Sequence, residues 1–492
     1  MPLPRLLTRV ALGAVLLAGV VVAAQESSSP FIVEPYLQLG DVPKLAPSEP
    51  VRVVWQAANE PNAVWSVDVR QDPSEPWRTA VGAAGRVIAT QPDAAYRLFN
   101  VPLTRLKPGA EFEYRVSKNG TVVFAAKGKT RSGADQPYRF VVTGDMGADT
   151  PQERRIVYQI SRVNPDFFAL AGDLVYSNGL MSEARQKYFP IYNAPVASPE
   201  TGAPLIRSRL SFGAIGNHDA GTGDLERHPD GQAYYLNWSQ PLNGPYTQAG
   251  LPNTQILKGP PAAMTAHLAA IRGTFPRMAN FSLDYGNSHW TFIDSNAYVD
   301  WSDAYLRNWL ARDLAAARSA TWKFVVFHHP PFNSSRSHFT EQQMRLITDI
   351  LEQRGVDVVF AGHVHNYQRT KPLRFLAKAA ADRTFRAGPM YAIDGDFEFD
   401  QSFDGVKDTT PDGVLYIVTG AGGAGAYDPD QTDNQPSWQA YTAKFVSDVY
   451  SFTTVDVDGA KLTMRQISET GAELDRLVLT KRSRLAGQEG PH

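Results

Sequence analysis

The chain has 492 residues, which is long for one domain, so two domains are the default expectation. Its hydrophobic content of 43% and charged content of 20% are ordinary for a globular protein. The formal net charge of −2 leaves no basic excess to neutralise phosphate backbones, which argues against a nucleic-acid partner. Because the chain has no cysteine, disulfides and thiolate-ligated metals are excluded, and any metal site must use oxygen and nitrogen ligands.

The first 24 residues predict a secretory signal. Arg5 and Arg9 precede an apolar run from Val10 to Val22, and small residues follow it. The run is too short to span a bilayer comfortably, although an uncleaved anchor is the alternative. We therefore expect a secreted or periplasmic protein without stable membrane insertion once the signal is removed.

Residues 30 to 132 predict a β-sandwich. Short alternating strands, such as 51–55, 64–69 and 111–116, recur without any long helical pattern. Asn119-Gly120 predicts a type I′ hairpin turn before the strand that starts at Thr121. Residues 131–137 are small or polar and predict a linker. Since every candidate site residue lies after residue 144, this first domain is expected to be non-catalytic.

From residue 138 to 480 the pattern changes to strands that alternate with helices, which indicates the α/β class. Thr150, Pro151 and Glu153 predict a helix start as N-cap, N1 and N3, and that helix should end near Asn164. A second helix is predicted from Thr340 to Gly355. Buried strands are predicted at 138–143, 167–171, 210–215, 322–327 and 356–361, and residues 481–492 predict a disordered tail.

Each of these five strands runs directly into polar residues. The five motifs are Gly144-Asp145-Met146-Gly147, Gly172-Asp173-Leu174-Val175-Tyr176, Gly216-Asn217-His218-Asp219, His328-His329-Pro330 and Gly362-His363-Val364-His365. Ligands of open α/β sheets bind beyond the carboxyl ends of the strands, so we expect these side chains to meet there. A single Gly-Asp is usually only a turn, but five such motifs in order, each after a strand, are not coincidence.

The order and the residues of the five motifs resemble those of the purple acid phosphatases, members of the calcineurin-like metallophosphoesterase superfamily. The resemblance covers residues 138–480 and implies a two-sheet βαβ sandwich flanked by helices. Gly147 stands where most of the wider superfamily has a histidine, and Tyr176 adds a phenol that those relatives lack. Leu106 to Gly109, leading into Phe112 and Tyr114, resembles a fibronectin type III module, an immunoglobulin-like sandwich that larger members carry.

The resemblance implies two metal ions that share Asp173. One set of implied ligands is Asp145, Asp173, Tyr176 and His365, and the other is Asp173, Asn217, His328 and His363. Two carboxylates and a phenolate are hard and anionic, which suits Fe(III). The second set is mostly neutral and suits a divalent ion, and the sequence leaves Zn, Mn and Fe open.

The implied reaction is attack of a metal-bound hydroxide on the phosphorus of a small phosphate monoester. His218 matches the family's outer-sphere histidine and is a candidate acid or phosphate donor, and His338 is a second, looser match. We therefore predict a secreted acid phosphatase that needs Fe(III) and a divalent metal. A phosphodiesterase or phospholipase with the same metal core is the alternative, and a surface binding protein with a vestigial site is a weaker one. The sequence leaves the physiological ester and the oligomeric state open.

Overall fold

The computed structural model describes residues 29–90, 94–246, 251–378 and 391–481. The signal predicted at 1–24 lies outside these ranges, as does the tail predicted at 481–492 apart from its first residue. Within the described ranges, every helix is too short or too polar to cross a membrane.

Two four-stranded antiparallel sheets form an N-terminal β-sandwich, as predicted. Its strands are β1 (Phe31–Gln38), β2 (Glu49–Ala58), β3 (Trp65–Arg70), β4 (Arg78–Thr79), β5 (Arg86–Ile88), β6 (Tyr96–Leu106), β7 (Glu111–Lys118) and β8 (Thr121–Lys129). The strand orders are β1-β2-β6-β5 and β4-β3-β7-β8. Asn119 and Gly120 join β7 to β8 with φ angles of 51° and 81°, the left-handed pair that a type I′ turn requires.

The rest of the described chain contains two larger mixed sheets and two short hairpins. Its strands are β9 (Tyr138–Thr143), β10 (Phe167–Leu170), β11 (Asn193–Ser198), β12 (Gly202–Pro204), β13 (Leu210–Gly213), β14 (Phe281–Tyr285), β15 (Ser288–Phe292), β16 (Trp322–Val326), β17 (Val358–Ala361), β18 (Tyr367–Thr370), β19 (Leu373–Ala377), β20 (Gly395–Phe399), β21 (Leu415–Thr419), β22 (Thr442–Val446), β23 (Ser451–Asp458), β24 (Lys461–Ser468) and β25 (Glu473–Thr480). One sheet has the order β13-β10-β9-β23-β24-β25 and the other β14-β15-β16-β17-β21-β18-β22. Parallel pairing is confined to β9, β10 and β13 in the first and to β15, β16, β17 and β21 in the second.

Eight α-helical segments and a few tighter or wider turns connect these strands. The helices are α1 (Pro151–Val163), α2 (Met181–Glu183), α3 (Phe189–Tyr192), α4 (Asn217–Ala220), α5 (Tyr234–Asn237), α6 (Pro261–Ala270), α7 (Ala304–Ala316) and α8 (Thr348–Gln353). A π-helical turn spans Ala184–Tyr188, and 3₁₀ turns span Arg277–Ala279, Gln343–Ile347, Pro429–Gln431 and Gln435–Ser437. These counts refer to the ranges given above.

The two large sheets pack face to face through aromatic rings. The Phe140 ring of β9 lies 4.8 Å from Trp290 of β15 and 5.3 Å from Phe324 of β16, centroid to centroid. Helix α1 buries Ile156 and its apolar neighbours on the outer face of the first sheet, and α7 buries Leu310 and its neighbours on that of the second. The predicted fold, a two-sheet sandwich flanked by helices and preceded by a β-sandwich, is confirmed.

The first predicted helix is confirmed, and the start of the second is wrong. Thr150 caps α1 by accepting from the Glu153 N–H, and Asn164 ends the helix in the left-handed region. The second helix begins as the 3₁₀ turn Gln343–Ile347 rather than at Thr340. Its expected first turn makes tertiary contacts instead, since the Glu341 carboxylate binds two histidine rings and the Gln343 amide donates to the Ser295 carbonyl.

The segment 131–137, predicted as a linker, begins with a residue that is packed into the protein interior. Arg131 is fully buried, and its guanidinium binds both carboxylate oxygens of Glu49 at 2.6 and 3.1 Å. It also donates to the carbonyls of Lys44 and Asp284. Buried apolar residues of the sandwich and of the two large sheets form one continuous cluster. The two units therefore share a packed seam.

Candidate metal centre

The five motifs converge where the parallel strands of both sheets end. Within one sheet, the Asp145 N–H that follows β9 donates to the Gly172 carbonyl after β10. Within the other, the Gly362 N–H after β17 donates to the His328 carbonyl after β16. The ends of two facing sheets thus bring together all seven residues that the sequence predicts as ligands.

One cluster of donor atoms contains Asp145, Tyr176 and His365. The Tyr176 hydroxyl lies 3.1 Å from Asp145 Oδ1 and 3.0 Å from His365 Nε2. The distance from His365 Nε2 to Asp145 Oδ1 is 3.5 Å. Asp145 is fully buried and His365 is nearly so, whereas Tyr176 is half-buried at the mouth.

A second cluster surrounds His328. Its Nε2 lies 2.9 Å from Asn217 Oδ1, 3.2 Å from His363 Nδ1 and 3.2 Å from Asp173 Oδ1. Asp173 also adjoins the first cluster, because its backbone carbonyl accepts from the Met146 N–H, directly after Asp145, at 2.9 Å. The division into two ligand sets that share Asp173, which the sequence resemblance implies, stays a prediction.

The backbone at these residues is unusual. Asp145, Asp173 and His363 have φ angles of 59°, 50° and 66°, in the left-handed region that non-glycine residues rarely adopt. Such conformations persist only where the surrounding structure enforces them, and they concentrate at functional sites. Gly216 permits a close approach, because a Cβ there would lie 2.1 Å from Asp173 Oδ1.

Hydrogen bonds fix which ring nitrogen of each histidine faces the clusters. His328 Nδ1 donates to the Ala171 carbonyl at 2.9 Å, and His365 Nδ1 donates to the Gly425 carbonyl at 2.6 Å. His363 Nε2 donates to Glu341 at 2.7 Å. The opposite nitrogen of each ring is left to act as a ligand, which is the orientation that histidine ligands of metals usually show.

The electrostatics of the site favour a cation. Burial lowers the pKa of His328, but Asp173 and Asp145 outweigh it and raise that pKa to about 10. Burial and the same two carboxylates hold the pKa of Tyr176 well above its ordinary value. The ion-pair partners of both carboxylates among the described residues are histidines. The donor set is therefore anionic, uses only oxygen and nitrogen, and fits two metal ions.

The two predicted outer-sphere histidines flank the clusters. His218 Nδ1 donates to the Ser177 carbonyl at 2.6 Å, and its Nε2 lies 3.8 Å from Asp173 Oδ2. The His338 ring lies 4.1 Å from the His363 ring, centroid to centroid, and its Nδ1 donates to Glu341 at 2.6 Å. Both side chains are about one-third exposed, so both can reach a ligand at the mouth.

Three supporting carboxylates were missed as site residues in the sequence. Asp219 accepts from the backbone of Leu174 and Val175 and so holds the loop after Asp173, although its motif was recognised. Glu153, predicted only as a capping residue, accepts from three successive N–H groups at 147–149. Glu341 binds two histidine rings, and hydrogen bonds from these rings overcome the effect of burial and lower its pKa to about 2.

Comparisons with known proteins agree with this geometry. Residues 138–367 match the calcineurin-like phosphoesterase family, and residues 413–476 match the family of iron/zinc purple acid phosphatase-like protein C. Purple acid phosphatase 21 of Arabidopsis thaliana is 27% identical over 305 residues, which cover 61% of this chain and 58% of that protein. Purple acid phosphatase 22 of the same plant is 24% identical, with the same coverage of both chains. The chain thus spans about 58% of the length of these relatives.

Two solved structures show the same fold. A purple acid phosphatase from yellow lupin (Lupinus luteus) seeds superposes with a TM-score of 0.60 at 16% identity, covering 92% of this chain and 74% of that one. PhoD superposes with a TM-score of 0.54 at 13% identity, covering 93% and 94%. Together with the motif order, the two family matches show that the chain contains a calcineurin-like phosphoesterase domain at residues 138–367, followed by a purple acid phosphatase-like C-terminal region at residues 413–476.

Proposed function

We propose that the protein is an exported acid phosphatase that hydrolyses phosphate monoesters with two metal ions. The observation that carries this proposal is the pair of donor clusters with Asp173 between them. His328 Nε2 has three potential ligand atoms within 3.2 Å, and the Tyr176 hydroxyl has two within 3.1 Å. Donor atoms at such separations, all directed inward, are what a shared metal coordination sphere requires.

Asp145, Asp173, Tyr176 and His365 would hold Fe(III), and Asp173, Asn217, His328 and His363 would hold Zn, Mn or Fe in the divalent state. When bound, such a metal pair would neutralise the phosphoryl oxygens and activate a water molecule for attack on phosphorus. The phenol of Tyr176 has a raised pKa and would ionise only next to a strong positive charge. Its place in the anionic cluster is the feature that favours the trivalent ion there.

The protein groups around the clusters would handle the leaving alcohol. His218 uses its Nδ1 to bind the Ser177 carbonyl, which leaves Nε2 to donate a proton to the departing oxygen. His338 is held by Glu341 on the opposite rim and would donate a hydrogen bond to a phosphoryl oxygen. These two side chains would orient the ester across the metal pair.

Metal analysis combined with a phosphatase assay tests the proposal. Protein reconstituted with Fe(III) and Zn(II) should bind both ions and hydrolyse p-nitrophenyl phosphate faster than its bis ester. A preference for the bis ester would identify a phosphodiesterase with the same metal core. Metal-loaded protein that cleaves neither ester would indicate a non-catalytic binding protein.

Export rests on the N-terminal sequence. Residues 1–24 have the basic start, short apolar run and small residues of a secretory signal. Expression of the full chain should yield extracellular or periplasmic protein whose N-terminus lies near Gln25. Full-length protein that stays with the membrane fraction would indicate an uncleaved anchor.

A further inference from the structure

Two loops face each other across the mouth of the metal centre, residues 334–338 and residues 425–431. We refer to them as the mouth loops. The first ends at His338, and the second carries Tyr427, whose ring stacks on His365 at a centroid distance of 4.0 Å and an angle of 11°. The rings of Tyr427 and His338 lie 5.4 Å apart. Each mouth loop therefore contributes an aromatic ring beside the predicted ligands.

Asp428 joins the mouth loops through its carboxylate. The Ser335 hydroxyl and the Ser337 N–H both donate to Asp428 Oδ2, the latter at 3.0 Å. Arg336 Nε donates to Asp428 Oδ1 at 3.3 Å. The φ angle of Asp428 is 51°, and the Ser447 hydroxyl donates to its carbonyl at 2.7 Å, which fixes the backbone on the other side. Hydrogen bonds to an ionised carboxylate are roughly twice as strong as neutral ones.

Gln431 makes a second connection of the same kind. Its side-chain Nε2 donates to the Ser334 carbonyl at 3.1 Å, and its Oε1 accepts from the Arg336 N–H at 3.1 Å. Gln431 is 1% exposed, so its amide is committed to these bonds. Together Asp428 and Gln431 bind four consecutive residues that directly precede His338.

The position of the His338 ring depends on the backbone of residues 334–337. Its one hydrogen bond recorded among the described residues runs from Nδ1 to Glu341, which fixes one nitrogen but not the position of the Cα. His338 itself has a φ of 59°, a conformation that the neighbouring residues must enforce. A displacement of about 1 Å at a positioning group can lower a catalysed rate by 10²-fold.

We propose that Asp428 and Gln431 are positioning residues that latch the mouth loops together and so set the places of His338 and Tyr427 over bound phosphate. The inference rests on the proposed phosphatase function and extends it to the control of substrate placement. The latch acts through its neighbours, since neither residue is among the predicted ligands or proton donors.

The test uses the metal-loaded full chain with the substitution Asp428→Ala. We expect kcat/KM for p-nitrophenyl phosphate to fall about 10- to 100-fold, and affinity for inorganic phosphate to fall in parallel, while metal content is retained. Asp430→Asn is the matched control, because Asp430 lies in the same mouth loop as Asp428 but is exposed and contacts loop 334–338 only through Arg336. That control should change kcat/KM by less than about twofold. Equal effects of the two substitutions would overturn the latch.

A double-mutant cycle separates positioning from a general structural role. In a His338→Ala background, Asp428→Ala should cost less than in the wild type, because the part of its effect that passes through the His338 ring is already lost. Fully additive losses would contradict the proposal. Asp428→Asn keeps one acceptor oxygen and should recover part of the activity. If Asp428→Ala does not fold, Ser335→Ala removes one latch bond with little change in volume and should still lower kcat/KM several-fold.

The phosphate measurement distinguishes failure of the latch from failure of the proposed function. A metal-loaded wild-type protein that binds phosphate but cleaves no ester would refute the phosphatase, while lower phosphate affinity in Asp428→Ala would still support the latch. Unchanged phosphate affinity in that variant would refute the latch alone. A wild type that neither binds phosphate nor cleaves esters would overturn both.

Discussion

The seam between the two units and the metal centre both bury charged groups, but they balance the charge differently. At the seam, the Arg131 guanidinium binds both carboxylate oxygens of Glu49. The His289 ring lies between two carboxylates, with Nδ1 2.8 Å from Asp284 and Nε2 3.0 Å from Asp313. Each buried charge there faces its opposite. At the metal centre, the ion-pair partners of Asp145 and Asp173 among the described residues are histidines alone, without an arginine or a lysine.

This difference separates structural charges from functional ones. A buried charge that is paired and hydrogen-bonded is stable by itself, and removing one partner is costly. A buried group of carboxylates and imidazoles without an arginine or lysine partner instead takes up protons or binds metal, and Asp173 and Asp145 outweigh burial and raise the pKa of His328 to about 10. We therefore expect changes at the seam to alter stability and changes at the centre to alter metal binding and turnover.

The largest effect is expected at the centre. His218→Ala should lower kcat by about 10²- to 10⁴-fold, since general acid catalysis contributes that range. Metal content should stay the same, and the loss should be greater for alkyl than for aryl esters, whose leaving groups need less protonation. Steady-state kinetics with both ester types measure this. His228→Ala, which changes a partly exposed histidine outside the clusters, is the control, and loss of metal in His218→Ala would contradict the assignment.

At the seam, Arg131→Ala should lower the free energy of unfolding by about 3–5 kcal/mol, because it leaves Glu49 buried without its partner. Turnover per bound metal ion should not change. Denaturant unfolding and the phosphatase assay give the two values. Lys127→Ala breaks an exposed pair with Glu113 in the same unit and should cost less than about 1 kcal/mol. A large loss of turnover per bound metal ion in Arg131→Ala would contradict the view that the seam affects stability alone.

Glu341→Gln tests a supporting carboxylate of the centre. The substitution preserves shape but weakens the bonds to His363 and His338, so metal affinity should fall about 10- to 100-fold. Competition with a chelator measures the affinity. Glu352→Gln on α8 changes a partly buried carboxylate away from the histidines and should leave metal affinity unchanged. Unchanged affinity in Glu341→Gln would show that Glu341 does not orient a ligand.

The smallest effect is a pH dependence at the seam. Burial lowers the pKa of His289, but hydrogen bonds and charges of Asp284 and Asp313 outweigh it and raise that pKa. Because the folded pKa exceeds the unfolded value of about 6.5, the contribution to stability is complete below that pH and disappears as the pH rises through the folded pKa. Other groups also face these two carboxylates. Lys44 forms an ion pair with Asp284, and the hydroxyls of Ser282 and Thr291 donate to Asp313.

Unfolding measured between pH 6 and 9 should therefore show stability falling as the pH rises. His289→Gln should reduce that slope, because the side chain no longer titrates. An identical slope in wild type and variant would assign the pH dependence to other groups.

The sequence predicts which side chains come together better than it predicts which residues hold them in place. The ligand motifs follow buried strands directly, so the edge where the strands end places Asp145, Asp173 and His328 together without further information. Asp428 and Glu341 lie in loops, and their partners are set by tertiary packing that no local pattern records. The same holds for Arg131, whose partner Glu49 lies 82 residues earlier in the chain. The small and polar residues around Arg131 predict a linker, whereas in the fold Arg131 is buried at the seam between the two units.

The most direct test of the account is the visible absorption of iron-loaded protein. A phenolate bound to Fe(III) absorbs visible light through charge transfer, and the Tyr176 hydroxyl lies within 3.1 Å of two other predicted ligand atoms. We predict a coloured wild type and a Tyr176→Phe variant that has lost the band while its circular dichroism shows the same fold. Iron-loaded wild type without a visible band, or a variant with an unchanged one, would contradict Tyr176 as a ligand and with it the proposed Fe(III) site.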